Sequence, residues 1–124
     1  MIRHEINNAI KKDFKFVKKQ SKNTETYIFD DRYMLIVIYN NVNIFKIDRK
    51  NFENIEKELL PYAFLLVEEN RKNMYFMKYK EPNNELRKAF DCTQKNEIYF
   101  GKQILQNKIS FDDLRKKIEE IENI

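Results

Sequence analysis

Seven consecutive apolar or aromatic residues at 33–39 (YMLIVIY) constrain this chain more than any other stretch. A strand with one face in water alternates apolar with polar side chains. An unbroken run containing several β-branched residues instead suits a strand covered on both faces. Such a strand belongs at the centre of a sheet, with other elements packed above and below it. A second uninterrupted run, 63–67 (AFLLV), reads the same way.

The flanking segments supply the covering elements. Ile2, Ile6, Ile10, Phe14 and Val17 recur at helical spacing, which predicts an amphipathic helix over 2–19. Its outer face carries His4, Lys11, Lys15 and Lys18. After a polar loop, strands are expected at 26–29, 33–39 and 42–47. Asn40-Asn41 makes a tight hairpin between the last two, because asparagine tolerates positive φ. Phe52, Ile55 and Leu59 then predict a helix over 51–60, capped by Asn51 and stopped by Pro61. The charged turn 68–73 leads to a strand at 74–80 whose polar end fits a sheet edge. A short helical turn is expected at 85–90, and 98–105 mixes strand and helix signals around Gly101. Ser110 and Asp113 form a capping-box pattern opening a helix over 110–122, with Phe111, Leu114, Ile118 and Ile121 as its apolar face. The fold class is therefore α+β, in one domain spanning 1–124. A central antiparallel or mixed sheet of about five strands has flanking helices, in the order α-β-β-β-α-β-β-α-α.

Composition narrows the chemistry. One glycine leaves no glycine-built phosphate cradle, and the single Cys92 excludes an internal disulfide or a cysteine-rich zinc site. His4, the only histidine, has no second histidine with which to form a zinc pattern. The charged residues are 35% of the chain with mixed signs and a net charge of only +4, short of the single-sign stripe of a dedicated nucleic-acid binder. Neither a leader-like segment nor an apolar run of membrane length occurs, so a soluble, cytoplasmic protein with no membrane partner is expected.

One acid cluster carries possible chemistry. Asp30 or Asp31 precedes the second predicted strand, and Asp48-Arg49-Lys50 closes the third. With a hairpin turn at Asn40-Asn41, Asp31 stands opposite Lys50 and Tyr33 opposite Asp48. The order helix, three strands, helix, two strands, together with these residues, resembles the core of the PD-(D/E)xK nucleases. The resemblance implies a Mg²⁺ ion held by Asp31 and Asp48, with Lys50 orienting a water and Glu5 as a further acid. The chain departs from the family pattern in placing Arg49 where an apolar or small residue is usual, and in setting Asp48 at the strand's last position. The competing account is a solvated strand exit leading into a capped helix.

Two surfaces remain for binding. Tyr75, Lys78, Tyr79 and Lys80 lie on the expected edge strand, an amphipathic aromatic surface of the kind that serves interfaces. Lys11, Lys15 and Lys18 form a basic face suited to phosphates. The resulting expectation is a small non-enzymatic interaction protein without cofactors, bound to a larger protein or ribonucleoprotein. Its setting is that of phage- or plasmid-encoded inhibitors of bacterial defence nucleases, such as anti-CRISPR proteins. A Mg²⁺-dependent nuclease is the alternative, and a small RNA-binding protein the third.

Overall fold

The computed structural model describes residues 2–11, 15–21, 23–29, 32–79, 90–94 and 97–121, with side chains over 2–10, 23–28, 32–77, 97–101 and 104–120. Helix α1 (Ile2–Lys11) is followed by strands β1 (Lys15–Ser21), β2 (Thr24–Phe29) and β3 (Tyr33–Asn40). The short β4 (Lys46–Asp48) runs straight into α2 (Arg49–Lys57), which returns the chain to β5 (Tyr62–Glu68) and β6 (Asn73–Tyr79). Strands β7 (Phe90–Gln94) and β8 (Glu97–Phe100), a 3₁₀ helix (Lys102–Asn107), β9 (Lys108–Ile109) and helix α3 (Phe111–Ile121) complete it. The class is α+β, built on a mixed sheet.

The mixed sheet has six strands in the order β1-β2-β3-β5-β6-β9, and a second sheet holds β4-β8-β7. As its unbroken apolar run requires, β3 lies inside the first sheet, antiparallel to β2 and parallel to β5. Its side chains divide by parity. Met34, Ile36 and Ile38 join Phe45, Ile47, Phe52, Ile55, Phe64 and Phe100 on one side of the sheet. Leu35, Val37 and Tyr39 join Ile2, Ile6, Ile10, Leu114 and Ile118 on the other. The sheet is thus a middle layer, covered by α1 and α3 on one face and by α2 and the second sheet on the other. Parallel strands need a crossover connection. Here β4 and α2 form it, and both bury apolar side chains on the sheet face they cross.

Several expectations are corrected. The first helix ends at Lys11, and residues 15–21 pair with β2 instead of continuing it. Ile2, Ile6 and Ile10 are a true helical stripe, but Val17 only continues its phase and lies on β1. The hairpin at Asn40-Asn41 does not form. Residues 41–43 bend the chain out of the first sheet, and β4 pairs with β8 in the second. The cap of α2 is Asp48 and not Asn51. The expected edge on β6 is covered at its start, where β9 pairs with Met74 and Tyr75. The helical turn expected at 85–90 falls on residues outside those described, except for Phe90, which opens β7. The mixed signal at 98–105 resolves into a strand, then Gly101, then a 3₁₀ helix. Of the expected capping box, the Ser110 half forms. The Ser110 hydroxyl donates to Asp113 Oδ2 at 2.9 Å and accepts from the Asp113 N–H at 3.3 Å.

With glycine nearly absent from the sequence, α2 ends on Leu59 in the left-handed region, at φ 57°. Glycine usually fills this position because a Cβ there is costly. Leu59 is also 89% exposed, so its side chain recovers almost no burial. Leu59→Gly is expected to stabilise the fold by about 1 kcal/mol, the relief of the left-handed strain less the added freedom of the unfolded chain. A rise in melting temperature checks this.

Candidate functional site

A cleft of about 430 Å³ opens where the second sheet meets the ends of β2 and β3. One wall comes from Thr24, Ile38, Tyr39 and Asn40, beside Asn23 in the turn before β2. The other comes from Lys46 and Asp48 of β4, Lys50 and Asn51 of α2, and Glu97 of β8. The strand-to-helix junction fixes the second wall. Asp48 has extended backbone, and its Oδ1 accepts the N–H groups of Lys50 at 2.8 Å and Asn51 at 3.2 Å. Across the β4–β8 ladder Asp48 stands opposite Glu97. Glu97 Oε2 in turn holds the Lys46 ammonium at 2.9 Å, with Lys46 5.9 Å from the centre of the Tyr99 ring. The hydrogen bond and charge of Glu97 push Lys46 above the ordinary lysine value, so it stays cationic.

The acid cluster read from the sequence is only partly assembled. Asp48 and Lys50 do line one cleft, joined by Glu97, which sequence reasoning missed. Only the β4–β8 register reveals Glu97, because it lies far along the chain from Asp48. Tyr33 stands opposite Phe29 and Asp48 opposite Glu97, so the proposed hairpin facing is overturned. Asp31 lies outside the described residues. Glu5 is exposed on α1, on the sheet face opposite that covered by α2. A Mg²⁺ ion prefers several free oxygen ligands in octahedral geometry. Here Asp48 Oδ1 is committed to the helix cap, and Lys46 would have to leave Glu97. Among the described residues no group of three or more His, Cys, Asp or Glu could hold a metal ion. Asp48→Ala is expected to cost about 1 kcal/mol in chemical denaturation, as loss of an N-cap does, while Asp48→Asn keeps most of it.

The two binding surfaces fare differently. Tyr75 is 6% exposed and packs edge-on against Phe45 at 6.0 Å between ring centres, so its ring belongs to the core. The side chains of Lys78, Tyr79 and Lys80 lie outside those described. Lys11 ends α1 whereas Lys15 and Lys18 stand on β1, so no single helix presents them. His4 is exposed and shares a 3.1 Å hydrogen bond with Asn8. Cys92 lies on β7, its side chain outside those described.

On the α1 face a polar network ties the helix to the sheet. The Tyr27 hydroxyl donates to Asn7 Oδ1 at 2.8 Å and approaches Glu25 at 3.4 Å, while Tyr39 reaches Asn7 at 3.3 Å. Burial first, then the Glu25 charge, pushes both phenols well above their usual value, so they remain hydrogen-bond donors. Arg3 lies 4.1 Å over the Tyr39 ring and pairs with Glu69 at 2.8 Å. The Tyr27 and Tyr39 hydroxyls thus keep hydrogen-bond partners despite their burial.

The loop between β3 and β4 forms the rim. Asn40 and Lys46, at its two ends, both line the cleft. Between them Val42 and Ile44 are 48% and 58% exposed. No helix among the described residues is long and apolar enough to cross a membrane. Compared with protein-family models, curated proteins and solved structures, the chain matches none of them.

Proposed function

We propose that this chain is a non-enzymatic interaction protein that occupies a surface of a larger protein or ribonucleoprotein, using the cleft and its rim loop. The observation that carries this reading is the pair of exposed apolar side chains, Val42 and Ile44, on a loop held by hydrogen bonds. The Asn40 amide donates to the Ile44 carbonyl, and the Asn41 N–H donates to Asn40 Oδ1 at 2.9 Å. The Asn70 N–H reaches the Asn41 carbonyl at 3.4 Å, and the Phe100 N–H reaches that of Phe45 at 2.9 Å. Apolar side chains beside polar groups match the core and rim of an interface. A loop already ordered spares association part of its entropic cost. Inhibition of a bacterial defence nuclease by a phage- or plasmid-encoded protein is the setting proposed. A net charge of +4 points to occlusion of the nuclease, since imitation of polyanionic nucleic acid needs the opposite sign.

The test is affinity capture from the native cell, with and without nuclease treatment of the lysate. A defined protein partner should be retained after treatment. Val42→Asp with Ile44→Asp should then reduce its capture about thirtyfold, the loss typical of removed hot spots, without changing the melting curve. Capture that vanishes on nuclease treatment would replace this reading with nucleic-acid binding.

A further inference from the structure

The positive charge of this chain is concentrated in one stretch of its sequence. Residues 11–22 (KKDFKFVKKQSK) hold six lysines and one aspartate, an excess of five. The whole chain carries an excess of four, so everything outside this segment is balanced to within one charge. Most of the segment is β1, the outermost strand of the six-stranded sheet. Among the described residues only β2 pairs with it. At seven residues it is as long as β5 and β6.

We infer that the β1 edge is a docking strand for an extended acidic polypeptide segment, which adds to the sheet beside Lys15–Ser21. The inference rests on the interaction-protein reading and names the chemistry of a partner segment. Two features favour a polypeptide over the other polyanion, nucleic acid. An edge strand offers N–H donors and C=O acceptors in alternation, and a neighbouring strand satisfies both. A phosphodiester accepts from the donors but repels the carbonyl dipoles between them. A second copy of this chain is disfavoured too, because edge-to-edge pairing sets lysines against lysines. An acidic strand is the one occupant whose side chains gain from the same lysines, which gives attraction and exclusion together.

The test uses the full chain and a fluorescent peptide of sequence Glu-Val-Glu-Thr-Glu-Val-Glu, followed by anisotropy. Two further probes are the same peptide N-methylated at alternate residues and an oligothymidylate of equal charge. The unmodified peptide should bind, more weakly as salt rises. N-methylation, which leaves the charge intact, should weaken it at least about tenfold through lost backbone pairing. Amide exchange should slow at residues 15–21 when the unmodified peptide is bound. Lys15→Glu, Lys18→Glu and Lys19→Glu together should abolish binding, whereas Lys116→Glu, a charge reversal at an exposed position on α3, should leave it nearly unchanged. Equal binding of the methylated peptide, unchanged exchange at 15–21, or tighter binding of the oligothymidylate would each overturn the inference. The last would make β1 a nucleic-acid surface. If the peptide fails while partner capture still depends on Val42 and Ile44, only the β1 assignment falls and the interaction reading stands.

Discussion

Ile36→Asp is expected to leave no cooperatively folded protein. Ile36 is fully buried at the middle of β3, with Thr26 opposite it on β2 and Phe64 on β5. Its side chain enters the core shared by α2 and both sheets, where nothing can solvate a carboxylate. An isolated ionised group there costs more than the roughly 5–15 kcal/mol by which domains of this size are stable. The variant should lose its melting transition by circular dichroism. Lys116→Ala, at an exposed position on α3, should stay within about 0.5 kcal/mol of wild type. A cooperative melt of Ile36→Asp near the wild-type temperature would contradict the central place of β3.

Phe64→Ala should be the most costly simple truncation. Phe64 is fully buried, and its ring meets Phe100 of the second sheet edge-on at 5.1 Å and Tyr62 at 5.7 Å. It therefore joins the two sheets as well as filling space between them. Removing it deletes apolar burial, two ring contacts and packing on β8, for a loss of about 3–5 kcal/mol. Urea denaturation should show this as a lower midpoint with little change in slope. Phe111→Ala, at a position 42% exposed, should cost far less. A loss below about 1 kcal/mol for Phe64→Ala would mean that the sheets do not meet there.

What could be read from the sequence was what local chemistry decides. The runs at 33–39 and 63–67 announce strands buried on both faces, and they lie side by side in the sheet. Ser110 and Asp113 announce a helix start because their bonds span only three residues. The errors arose where the outcome depends on distant partners. Val17 keeps the phase of Ile2, Ile6 and Ile10, and only pairing with β2 makes its segment a strand. Asn40-Asn41 has suitable chemistry for a hairpin, yet the next strand is taken by β8. Tyr75 looks like an edge tyrosine until β9 and Phe45 cover it. The site divides the same way. Asp48 and Lys50 are neighbours by covalent connection, whereas Glu97 joins them through a ladder no local pattern reveals.

That ladder also bears on how the chain reaches its native state. Strand β4 has its partner about fifty residues later, a long loop to close before any contact repays it, and such topologies fold slowly. Until β8 is made and docked, Phe45 and Ile47 have only one side of their shared core to pack against. During synthesis the meander β1–β3 can therefore assemble early, while one face of its central strand stays exposed to water and to other chains. The segment around residues 97–100 acts as the closing piece. A chain shortened before it would be retained by chaperones or aggregate, even though every strand flanking β3 had already been made.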